Sequence, residues 1–190
     1  QLMRDLAVRY DPSLDFADDW DVFLRLARST RVAMLPEPYV AYHLHGENWS
    51  VRERDRMISC GIRILAGELS YWLREPVSEE EAEEFFEAMV AGRGSQSMPA
   101  LRRAGALTVR LFDQFMNAHQ ASEFERERSA AITGMRWWRA VRGTAKYTGA
   151  QAFGVFRAAG TPSWWIPPAT ERAKARLAAA WRRASPTVPG

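Results

Sequence analysis

A single cysteine, Cys60, occurs in the whole chain. It has no partner for an internal disulfide or a metal-binding cysteine cluster, which fits a reducing compartment such as the cytoplasm. Its neighbours recur at helical spacing, so Cys60 reads as a small buried side chain rather than a reactive thiol. No uninterrupted run of about 18 apolar residues is present, which argues against a membrane-spanning helix and leaves surface attachment open. A basic-then-apolar leader is also missing. With Gln1 rather than a methionine at its start, the chain reads as a piece whose native amino terminus lies upstream. No internal repeat of fixed period is found, which sets aside solenoids and propellers.

What is there suits a folded protein. The 190 residues are 47% hydrophobic and 26% charged, which excludes wholesale disorder, collagen-like sequence and an integral membrane bundle. That length suits one domain or one and a half, at roughly 100 to 200 residues per domain. The net charge of +3 conceals an asymmetry. Residues 1–133 carry 16 basic and 22 acidic side chains, a balance of −6; residues 134–190 carry 10 basic side chains and Glu171 as the one acid, a balance of +9. The two parts meet different surroundings.

Along the chain, Asp11, Pro12 and Ser13 predict a turn closed by the aspartate side chain. Trp20, Phe23, Leu24 and Ala27 follow at amphipathic helical spacing, with Asp18 or Asp19 where an N-cap belongs. Residues 31–35 and 39–43 read as two short strands around a Pro36-Glu37-Pro38 turn. Ser50 with Glu53 spells a capping box opening a long helix from Val51 to about Arg74, with Met57, Ile58, Ile62, Leu65, Leu69 and Trp72 inward; Pro76 ends it. Ser78 with Glu81 opens an acidic helix to about Ala91. A further helix runs from Pro99 to Ala118, with Leu101, Leu107, Leu111, Phe112 and Phe115 inward, and extends toward Arg128. Beyond Gly134, Trp, Tyr and Phe interleave with Arg and Lys and with glycines, which does not read as a tidy core helix.

Residues 10–50, YDPSLDFADDWDVFLRLARSTRVAMLPEPYVAYHLHGENWS, carry five pieces in order. They are an aromatic-Asp turn, an acidic pair before Trp-Asp, a Leu-Arg-Leu helix, a Pro-Glu-Pro turn and a His-x-x-Asn-x-Ser close. In this order and spacing the segment resembles the carboxyl end of the GT-A catalytic domain of family 2 glycosyltransferases, which are inverting and use nucleotide sugars. The resemblance implies that Asp19 is the general base and that Asp18 stands where the family more often has Glu. It also implies that His45 lies near a divalent metal, Mn or Mg, bound to the donor diphosphate; His43 replaces the family's usual arginine. Inversion at an anomeric carbon needs a base on the face opposite the leaving nucleotide, since the acceptor hydroxyl loses its proton as it attacks. Each residue also has a plainer role. Asp18 and Asp19 serve equally as cap and first-turn residues, worth about 0.5–2 kcal/mol for the cap. His43 and His45 serve equally as turn residues. No Asp-x-Asp metal motif stands ahead of Asp18, and the family's nucleotide-binding strands lie upstream of such a segment, so this chain alone is expected to be inactive.

The expected fold class is therefore mainly α: a remnant of an α/β GT-A domain with one or two short strands over 1–50, a helical appendage over 51–133, and a basic, aromatic-rich helical tail over 134–190. The expected function is a fragment of a transferase for cell-surface polysaccharide or a related product. It moves a sugar from a nucleotide-diphosphate donor to a glycan or lipid-linked acceptor. The expected location is cytoplasmic, peripheral on the inner face of the plasma membrane, with an anionic membrane surface met by 134–190. Nucleic acid is the rival partner for that tail and ranks below the membrane; a helical cap with a solvated basic face is the plain alternative. The second class of function is a non-catalytic helical module that binds a membrane or a protein.

Overall fold

The computed structural model describes residues 2–157 apart from 31, 34–36, 42, 44 and 46–47, together with 162 and 169. The described chain is mainly helical, with no strand among the described residues. Of the two expected strands, residues 31, 34, 35 and 42 lie outside the described set, while 32, 33, 39–41 and 43 belong to neither helix nor strand. The chain divides into two compact units, Gln1–Glu83 and Glu84–Gly190.

The first unit holds α1 (Leu2–Asp5), α2 (Asp18–Ala27), α3 (Trp49–Arg52), α4 (Arg54–Leu73) and most of α5 (Glu79–Phe85). Its core forms around α4, whose Ile62, Leu65, Ala66, Leu69 and Leu73 are buried. Phe16 and Val22 are buried with them. The single helix expected from Val51 is instead two, because Glu53 leaves helical geometry at φ −108° and ψ 27°. Val51 and Arg52 both donate to the Asn48 carbonyl, so α3 closes as its own turn. The Glu53 carboxylate lies 3.4 Å from Arg56. At the other end Arg74 takes the left-handed conformation, φ 57° and ψ 32°, and Pro76 cannot rejoin a helix. Ser70 Oγ accepts from Val77 N–H at 2.9 Å, which folds the chain back toward α5. The Ser78 and Glu81 capping box forms as the sequence predicts, with Glu81 N–H donating to Ser78 Oγ at 3.2 Å and Ser78 N–H to the Glu81 carboxylate at 3.0 Å.

The second unit continues α5 through a wide π turn, Phe86–Val90, into α6 (Met98–Ala118), α7 (Glu123–Thr148) and a 3₁₀ segment, Gly149–Arg157. Ser97 caps α6 and Ser122, with Glu125, makes a full capping box for α7. The expected extension of α6 toward Arg128 does not occur. Gln120 turns left-handed at φ 47°, and the new cap at Ser122 starts a separate helix. Residues 134–148 belong to that helix and include its most buried part, with Trp137, Ala140 and Val141 at 0% exposure. Arg136, Arg139, Arg142 and Lys146 recur every three or four residues on its exposed side. The interleaving of basic and aromatic residues is thus the period of an amphipathic helix, read along one strand of sequence. The 3₁₀ segment folds back on it, with Phe153 and Phe156 ring centroids 5.8 and 5.5 Å from that of Trp138.

One backbone contact sets how closely this unit packs. Gly94, at φ 84°, and Gly143 leave no room for side chains: a Cβ on Gly143 would lie 2.2 Å from the Arg93 carbonyl oxygen, and one on Gly94 would lie 2.3 Å from Thr144 N. The approach lets Ser95 N–H donate to the buried Thr144 Oγ1 at 2.8 Å. Gly143→Ala is therefore expected to destabilise this unit by about 3 kcal/mol, because both walls are backbone and cannot yield. Gly67→Ala, on the exposed side of α4 with nothing within 4 Å of the new Cβ, is expected to stabilise by about 0.5–1 kcal/mol. Urea unfolding followed by tryptophan fluorescence measures both.

Candidate functional site

The approach to α2 is a tight, locally bonded turn. Ser13 N–H donates to Asp11 Oδ1 at 2.8 Å, which is the Asx turn the sequence predicts, and Leu14 N–H donates to the Asp11 carbonyl at 3.1 Å. The helix then starts without a side-chain cap. The N-cap position, expected to be Asp18 or Asp19, is Ala17 in the left-handed region at φ 59° and ψ 20°. That geometry is uncommon for a residue with a Cβ. Asp18 and Asp19 consequently fall in the first turn, Asp18 half-buried and Asp19 exposed. Asp19 Oδ1 accepts from Trp20 N–H at 2.7 Å, and Oδ2 accepts from nothing among the described residues. Asp21, the third acid of the turn, is committed: Arg25 donates to it through Nε at 2.9 Å and through a second guanidinium nitrogen that also reaches the Arg9 carbonyl.

Helix α2 is braced along its length by α4. Arg56 pairs with Asp15 at 3.0 Å and lies over the Phe16 ring at 5.1 Å, just ahead of the acidic pair. Half-buried Trp20 packs on Gly61, where an added Cβ would come within 3.2 Å of the indole. Arg28, which ends the helix, donates to Glu68 Oε2 through Nε at 3.0 Å and through a terminal nitrogen. Glu68 Oε1 accepts from Trp72 Nε1 at 2.7 Å, and the Arg28 guanidinium lies 3.9 Å over the Tyr71 ring. Glu68 is only 9% exposed, so its charge is tolerable because both oxygens are occupied and a cation sits beside it. Sequence reasoning missed Arg28, Gly61 and Glu68. The one available signal was Glu68 itself, an isolated acid between Gly67 and Leu69 and four residues before Trp72.

His43 and His45 stand at a separate turn built by Asn48. Its Nδ2 donates to the His43 carbonyl at 2.9 Å and its Oδ1 accepts from His45 N–H at 3.3 Å. Asn48, matched in sequence to a glycosylation sequon, is buried and spends its side-chain amide on this turn. The two imidazoles are exposed and meet edge to face with centroids 5.7 Å apart. No hydrogen bond or ion pair joins either of them to Asp18 or Asp19 among the described residues. Nor does any group of three or more His, Cys, Asp or Glu among those residues come together closely enough to hold a metal ion. A divalent ion with His45 as ligand therefore finds an incomplete donor set in the described chain. An acidic concavity lies elsewhere: a cleft of about 390 Å³ between α4 and α5, where Asp55, Glu79, Glu80 and Glu83 surround Ile58 and Ile62. None of Asp18, Asp19 and His45 lines it. Cys60 is half-buried and free, with Arg63 donating to its sulfur at 3.8 Å.

No protein-family model, curated protein or solved structure matches this chain.

The turn ahead of α2 carries a titration signature. The hydrogen bonds from the Ser13 side chain and then its backbone hold the Asp11 carboxyl below its ordinary value of 3.8, with Arg25 and Arg63 adding attraction. A carboxyl lowered in the folded state adds stability above the unfolded value and loses it as pH falls through the folded one. Ser13→Ala is expected to raise the Asp11 pKa toward 3.8, read from the side-chain ¹³C shift in an acid titration.

Proposed function

We propose that residues 1–50 are the carboxyl end of a family 2, GT-A catalytic domain. In the parent protein they take part in transfer of a sugar, with inversion, from a nucleotide-diphosphate donor to a hydroxyl of a glycan or lipid-linked acceptor. The observation that carries this reading is Asp19. It is an exposed carboxylate at the open end of α2, with one oxygen tied to Trp20 N–H at 2.7 Å and the other uncommitted among the described residues. That free oxygen can take the acceptor proton as the acceptor oxygen attacks the anomeric carbon and the nucleoside diphosphate leaves from the opposite face. Asp18, half-buried beside it, is the second member of the pair. Asp21 is excluded as base because Arg25 occupies it. A divalent metal, Mn or Mg, belongs to the donor diphosphate; His45 is at most one of its ligands, and the remaining donors and the nucleotide-binding strands belong to parts of the parent outside this chain. The remnant-strand identity of residues 31–43 is part of the same proposal.

In the natural protein that contains this segment, Asp19→Asn is expected to lower kcat by about 10²- to 10⁴-fold while donor binding is kept. Full turnover in that variant would remove Asp19 as the base. Calorimetric titration of the present chain with UDP-sugars and Mn²⁺ is expected to show no micromolar binding.

A second reading, a non-catalytic helical module that binds a membrane or a protein, is favoured by the exposed row of Arg136, Arg139, Arg142 and Lys146 on α7. Among the described residues no helix is long and apolar enough to cross a membrane. A peripheral position on the cytoplasmic, anionic face of the plasma membrane is the arrangement this reading supports, with nucleic acid a lesser candidate. Trp137 and Trp138 are core side chains, so they are not its interfacial anchors. Flotation with anionic vesicles tests it, comparing the full chain with one ending at Arg157, because a stop at Thr133 would cut α7. Contact through the row on α7 predicts equal flotation of the two, contact through residues after 157 predicts loss in the shorter one, and absence of flotation in both would remove the membrane as partner.

A further inference from the structure

We infer that α4 is part of the catalytic apparatus rather than an appendage to it, and that Glu68 is a positioning residue for the acidic pair; the inference rests on the reading of Asp19 as base. Three features of the fold lead there. The first turn of α2 has no side-chain cap, and the residue before it is an alanine held at φ 59°, so local sequence does little to set where Asp18 and Asp19 stand. Among the described residues, α2 and the residues flanking it meet α4 through Arg56 at Asp15 and Phe16, Gly61 beneath Trp20, and Glu68 at Arg28, while Arg25 adds a tie back to the Arg9 carbonyl. The tie at Glu68 is also the one with no slack. Glu68 is nearly buried, receives Arg28 on one oxygen and Trp72 on the other, and Arg28 is clamped from its far side by the Tyr71 ring.

A general base has to be held within a fraction of an ångström of its productive place, and a displacement of about 1 Å costs about 100-fold in rate. A helix of ten residues is too short to keep such a place by itself. Glu68 anchors the carboxyl end of α2, and Gly61, without a Cβ, lets the indole of Trp20 come close to α4 near the amino end. Together they fix the axis and the rotation of the helix, and with them the direction of the Asp19 carboxylate. Glu68 never touches substrate in this scheme. Its effect is on kcat and not on donor binding.

Two readouts test this together. In the chain itself, hydrogen exchange of the α2 amides is expected to speed up about tenfold in Glu68→Gln and in Arg28→Ala, with the α7 amides unchanged as an internal control. Arg28→Lys, which keeps a cation beside Glu68, is expected to restore most of the protection lost in Arg28→Ala. In the natural protein, Glu68→Gln is expected to lower kcat about tenfold with the donor KM unchanged. Unchanged exchange in α2 would overturn the inference, as would a loosened α2 in an enzyme that keeps its kcat. A natural protein with no sugar transfer before any substitution would overturn the reading of Asp19, and the positioning role with it; the exchange experiment separates that failure from a failure of the clamp.

Discussion

Glu68 is the constraint on which the first unit turns. A carboxylate this deeply placed would cost several kcal/mol if left alone. It is stable because Arg28 and Trp72 reach it from two directions, and breaking such a set by removing one partner typically costs about 3–5 kcal/mol. The arrangement does more than cancel its own cost. Arg28 comes from the end of α2 and Trp72 from the next turn of α4, so satisfying one buried charge fixes one helix against another. An apolar contact in the same place would hold the helices together without choosing a register.

The second unit solves its packing by opposite means. Where the first uses a charged side chain, this one removes side chains altogether, and the segment 93–94 lies directly on α7 at Gly143. Thr144, fully buried, then accepts from Ser95 N–H and donates back to the Ala140 carbonyl at 2.9 Å. Its hydroxyl thereby serves both partners of the contact. Trp137 and Trp138 are buried on the same helix, and the basic residues on either side of them, Arg136, Arg139 and Arg142, face solvent. The π turn at Phe86–Val90 sits where the chain enters the unit, with Arg93 paired to Glu87 across its end.

Much of the helical content was legible in the sequence because it rests on local chemistry. Ser78 with Glu81, the helix from Pro99 to Ala118, and the apolar spacing of Ile62, Leu65 and Leu69 all rest on chemistry within a few residues, and each appears as predicted. The misjudged places are those where a distant partner or an unusual backbone decides. The break at Glu53 follows from the Asn48 turn, the start of α2 from a left-handed Ala17, and the end of α6 from a left-handed Gln120. For the candidate site, the acidic pair and His45 were read from a resemblance to a family. Their environment, exposed for Asp19 and His45 and half-buried for Asp18, could not be read from residue order.

The sequence by itself determined most of the helical segments, the Ser78–Glu81 capping box, the turn at Asp11 and the division of charge between 1–133 and 134–190, since each depends on neighbours in the chain. Only the tertiary structure decided that the aromatic and basic residues after Gly134 begin as one more core helix, and that Arg28 at the end of α2 is taken by Glu68 of α4. Burial and pairing are properties of what lies across the fold. A helix shows in its own sequence which residues share a face, and leaves to its neighbour the choice of which face is covered and which charge is answered.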